Sequence, residues 1–190
     1  MKKGLIIVVM VLVAVLMVVP VSAQPDDIAP DEDPLFGTFQ ITNGFLPDPW
    51  IFTAIAGGLV DSTTLDLGPD CRGFINDRPD INMEWVTDSS GPVRIFFISD
   101  EDTTLIIRDP EGNFICNDDN DFGTPADGSP INLLSPGVEI ETPIEGTYNI
   151  WVGTFRDRSI GAGYLMVTEF ARTYPGQIVS PFLGVIVEPE

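Results

Sequence analysis

Apolar residues in this chain fall in short runs, broken every few positions by Gly, Pro, Asn or Asp, and from Phe36 onward none keeps a helical 3.6-residue repeat. Trp50–Ala56 is apolar on both faces and stops at Gly57-Gly58. Ile81, Met83 and Trp85 alternate with Asn82 and Glu84, so one face of that strand is dry. Residues 93–98 are apolar almost throughout, as a central strand covered on both faces would be. Leu105 and Ile107 carry the core into the next strand. Residues 146–153 start at a turn glycine and alternate, with Tyr148, Ile150 and Val152 on one face and Asn149 and Trp151 on the other. Residues 163–170 form another strand; 178–187 would be a last one, which Pro181 puts at an edge or breaks. The pattern predicts an all-β antiparallel sandwich, a single domain over residues 35–174, with 175–190 a C-terminal tail or edge strand.

The first residues have a different pattern. Lys2 and Lys3 precede an apolar run from Leu5 to Val19, Pro20 breaks it, and Val21-Ser22-Ala23 offers the small residues of a cleavage site. Residues 1–23 therefore read as a signal peptide, the alternative being an uncleaved anchor, and either way the remainder is exported. No other stretch is long enough for a membrane helix, so no membrane span is expected after cleavage. Residues 24–34, QPDDIAPDEDP, are acidic and proline-rich with almost nothing large to bury, and are predicted to be a disordered tether.

Charge narrows the partners. The formal net charge is −20, and because both lysines lie in the signal, its removal leaves seven arginines against 29 acidic residues, or −22. Nucleic acid and anionic lipid are repelled by such a surface. An exported chain with two cysteines, Cys71 and Cys116, is expected to join them in a disulfide, since a zinc site or a thiol nucleophile would want histidine and the sequence has none.

Several segments together resemble the bacterial pre-peptidase C-terminal domain: Asp102-Thr103-Thr104-Leu105-Ile106-Ile107, Gly112, Asn117-Asp118-Asp119, the 146–153 strand Gly-Thr-Tyr-Asn-Ile-Trp-Val-Gly, and Gly163-Tyr164-Leu165. Cys71-Arg72-Gly73-Phe74-Ile75 and Pro79-Asp80-Ile81 are similar to a secreted subgroup of such domains with one cysteine pair. The resemblance runs from about Leu46 to Phe170. It implies a jelly-roll-like β-sandwich without catalytic activity, often appended to secreted proteases, and in some members associated with calcium or with an extracellular polymer. No enzyme domain accompanies it in this sequence.

Two groups of residues are candidates for chemistry. Asn117, Asp118, Asp119 and Asp121, with Asn120 between them, concentrate oxygen donors of the kind calcium takes; the competing reading is a turn whose side chains hydrogen-bond their own backbone. The spacing fails as an EF-hand, because the glycine falls one place late and Gly128 stands where a glutamate should close the loop. A second acidic group, Asp100, Glu101 and Asp102, is expected at the opposite end of the intervening strand, away from the first. Trp151, on the face away from Tyr148, is a candidate exposed platform for a ligand such as a sugar, with burial beneath a loop as the alternative. Without histidine, no Ser-His-Asp or Cys-His arrangement is possible. The sequence thus reads as a secreted, non-catalytic binding or adhesion module for an extracellular polymer or protein, with calcium as its one candidate cofactor. The rival readings are a structural cell-envelope surface protein and, behind it, a carbohydrate-binding module or a glycan-active enzyme.

Overall fold

The computed structural model describes residues 27–86, 91–120, 122–126, 128–176 and 185–187; the expected signal peptide, Asp121 and Pro181 lie outside them. Among these residues thirteen strands form, in chain order β1 (Thr38–Ile41), β2 (Trp50–Ala56), β3 (Val60–Asp61), β4 (Phe74–Ile75), β5 (Ile81–Trp85), β6 (Val93–Ser99), β7 (Thr103–Arg108), β8 (Phe114–Asn117), β9 (Gly137–Ile140), β10 (Gly146–Thr154), β11 (Gly161–Thr168), β12 (Thr173–Pro175) and β13 (Val185–Val187). β2, β5, β6, β7 and β10 fall on runs read from the sequence, and β11 starts and ends two residues earlier than expected.

The chain is all-β and builds a two-layer sandwich. One sheet has seven strands, with β10 at its centre: β5 and then β1 lie on one side, β7 and then β8 on the other. On the β5 side the short β4 meets the far end of β10 at Thr154, and β3 pairs with β4. The other sheet runs β2-β11-β6-β9. Pairing is antiparallel except between β1 and β5, which run parallel, a departure from the expected purely antiparallel sandwich. β12 and β13 form a separate two-stranded ladder.

Between the layers lies a dry core that includes Met83, Trp85, Ile95, Phe97, Leu105, Ile107, Ile150 and Leu165, all essentially inaccessible. β6 is covered on both faces as predicted: Ile95 and Phe97 face this core, while Phe96 and Ile98 pack outward with Met166 beneath Phe122 and Tyr164. Arg94 holds that outer cover, its guanidinium 4.5 Å from the Phe122 ring centroid and paired with Glu139.

The segment expected to be a tether is anchored at Ile28 and Ala29, just ahead of the first strand. Ala29 N–H donates to the Asp77 carbonyl, Leu35 N–H to that of Pro79 and Phe36 N–H to that of Asp80, while Ile28 packs against buried apolar residues. Composition missed this because backbone hydrogen bonds and one isoleucine do the anchoring. No helix among the described residues is long and apolar enough to cross a membrane.

Candidate functional site

The acidic loop sits at the root of a hairpin. β7 and β8 pair antiparallel with Leu105 opposite Asn117, so the residues before β7 and after β8 emerge at the same end, and the turn around Gly112 lies at the other. The expectation that the two acidic groups occupy opposite ends is therefore corrected. Asp102 lies among like charges: burial raises its pKa first, the neighbouring Asp119 raises it further, Arg156 opposes, and Asp118 and Glu101 add smaller upward pushes. Arg72 reaches Asp118 at 4.0 Å.

The asparagines of this loop act on backbone. Asn117 Oδ1 accepts from Gly137 N–H at 2.8 Å, tying the end of β8 to the start of β9. Asn120 Oδ1 accepts from Phe122 N–H, and its amide donates to the Gly123 carbonyl. Asp121 falls outside the described residues. Among the described residues, no three acidic side chains are gathered as ligands for a metal ion.

Trp151 is not a platform. Its side chain is fully buried, which corrects the reading of an exposed stacking surface. It points to the outer face of the seven-stranded sheet, as the alternation predicted, but the 60–75 segment roofs that face. Val60, Cys71, Ile75 and Ile106 surround it, and the Phe114 ring lies 6.4 Å away. Cys71 and Cys116 form the predicted disulfide, which fastens this roof to β8.

One residue given no role in the sequence reading is Asp80. Between its pairings with β5 and β4, β10 loses strand partners on that side, and Asp80 fills the gap. Its N–H donates to the Ile150 carbonyl, and its Oδ2 accepts from Val152 N–H at 2.7 Å in place of a ladder carbonyl. Asn76 Nδ2 donates to the other oxygen at 2.8 Å. Burial pushes the carboxyl up to about 7, against the downward pull of the Val152 and Asn76 hydrogen bonds. An aspartate placed just before an alternating strand was the available signal.

A surface groove of about 450 Å³ opens beside β2, lined by Leu35, Ile55, Gly57, Leu59, Asn76 and Ile160 among others. Its apolar walls are largely solvent-accessible: Leu35 is 47%, Ile55 48%, Leu59 51% and Ile160 71% exposed. A second groove of about 490 Å³ shares Phe36 and Ile55 with it and continues past Thr53, Ala162 and Tyr164 to Asp100.

No family model matches the chain, and no curated protein sequence does. Among solved structures, it is similar to the pre-peptidase C-terminal domain of collagenase from Bacillus anthracis, at 10% identity and a TM-score of 0.40, covering 72% of this chain and 100% of that one. It is also similar to PliG, a periplasmic lysozyme inhibitor of g-type lysozyme from Aeromonas hydrophila, at 12% identity and a TM-score of 0.31, covering 72% of this chain and 98% of that one.

Proposed function

We propose that the chain is an exported, non-catalytic binding or adhesion module that engages an extracellular polymer or protein. The observation that carries this reading is the exposed apolar groove beside β2: a chain of net charge −20 that leaves Leu35, Ile55, Leu59 and Ile160 in solvent has a surface suited to a partner. The disulfide supports an oxidising, extracytoplasmic compartment. The absence of histidine from the sequence, and the engagement of both Asp80 oxygens in hydrogen bonds, support a non-catalytic role. A sugar-stacking role loses its candidate platform with the burial of Trp151.

Calcium enters the reading as an electrostatic stabiliser at the hairpin root, where Asp118, Asp119 and Asp102 repel one another and a divalent cation would relieve the crowding. Those residues do not form a ready-made cage, and the Asn117 amide oxygen is already engaged.

An array of extracellular glycans and secreted proteins, probed with the labelled protein, checks the function. Saturable retention by one ligand class without its consumption is the expected result. Turnover of a ligand, or no retention by any, would count against it.

A further inference from the structure

We infer that the outer edge of β2 accepts an extended segment of a basic partner protein, added as a fifth strand to the four-stranded sheet, with an apolar side chain seated at Ile55. The inference rests on the binding reading above and assigns that reading a surface and a partner chemistry.

Position comes first. β2 ends its sheet, and among the described residues no strand pairs with its other side. An edge strand exposes unpaired backbone donors and acceptors, and proteins usually blunt such edges with charge, proline or short length. β2 has none of these: its 7 residues, WIFTAIA, contain no charged residue and no proline. One groove borders the Ile55–Ala56 end of β2 with Leu35, Leu59 and Ile160, and the other lies over Thr53–Ile55 and their paired residues on β11; the two meet at Ile55 and Phe36, where an apolar side chain of an added strand has a recess.

Charge selects the occupant. Asp100 lines one groove, with Glu101 and Asp102 next in sequence. Arg158, the cation lining the other, is paired with Asp157 at 3.8 Å. The chain as a whole carries a net charge of −20, so a second copy is repelled and a lysine- or arginine-bearing strand is drawn in.

The test uses the purified full chain and synthetic peptides as long as β2, alternating lysine with valine or glutamate with valine. Fluorescence anisotropy gives affinity, and hydrogen exchange read by mass spectrometry locates the contact. The lysine peptide is expected to bind saturably, to slow exchange at residues 50–56, and to exceed the glutamate peptide by about tenfold or more in affinity. Ile55→Lys and Ile160→Ser, both at exposed positions, should each weaken it by about tenfold or more with an unchanged circular dichroism spectrum. Unchanged affinity in both variants, protection only elsewhere, or no binding at millimolar peptide would overturn the inference. So would concentration-dependent dimerisation that protects residues 50–56, which would give the edge to a second copy. An array ligand whose binding survives Ile55→Lys would remove the strand-addition surface and leave the binding function standing; an array without ligands would strike that function alone.

Discussion

Two outward-facing apolar surfaces of this sandwich meet different fates. On the seven-stranded sheet, Ile106 and Trp151 are sealed beneath the 60–75 segment, which Cys71 fastens to Cys116 on β8. On the four-stranded sheet, the strip along β2 that holds Ile51 and Ile55 is left in solvent. Each pattern alone reads as a strand apolar on both sides. What separates them is a distant segment that crosses one surface and not the other. A roofed surface contributes stability, and an open one is available for recognition.

The sharpest way to break this comparison is to remove what the roof covers. Trp151→Ala should destabilise the fold by up to about 5 kcal/mol in chemical denaturation. A loss below about 1 kcal/mol would mean the roof does not seal. Replacing both cysteines with alanine releases a closure spanning 45 residues and should cost about 4 kcal/mol on a chain-entropy account, measured the same way.

Asp80 supports β10 directly beside Trp151, and its effect depends on pH. Its carboxyl titrates near 3.8 unfolded and about 7 folded, so the folded state holds the proton more tightly. Its stabilising contribution is complete below about pH 4 and is lost as pH rises towards 7, at no more than about 1.4 kcal/mol per pH unit. Asp80→Asn should flatten that slope in melts taken across this range. An unchanged slope would assign it to other carboxylates.

Calcium should act more weakly, at the hairpin root next to the stapled β8. Millimolar calcium against chelator is expected to raise the melting temperature by a few degrees, worth about 1 kcal/mol, and Asp119→Asn should cancel the rise. Identical melts would retire the ion. The open strip should be the least sensitive: Ile55→Lys is expected to change stability by no more than about 0.5 kcal/mol. A loss of several kcal/mol would show that β2 is covered after all.

Strand positions were legible because alternation is local: Ile81, Met83 and Trp85 declare their face without reference to any neighbour. The face of Trp151 was legible for the same reason, but its burial was not, because the cover comes from residues 60–75. The docking of residues 27–36 and the parallel pairing of β1 with β5 also depend on contacts between distant segments. The misplacement of the acidic groups was different in kind. The hairpin itself was readable, and the end at which both its strands emerge follows from antiparallel pairing. That β2 would border its sheet was unreadable, since an edge is defined by which strand fails to arrive.

The cystine has a mechanical consequence. If the chain is pulled between points outside Cys71 and Cys116, force passes through the sulfur bridge, and the 45-residue span between them, which contains β4 to β7, cannot lengthen. Single-molecule stretching should register a contour shorter by about 150 Å than in the reduced protein, at about 3.4 Å per extended residue. A module of this kind would yield to tension yet keep about a quarter of its 190 residues closed in a loop, ready to recoil when the load is released.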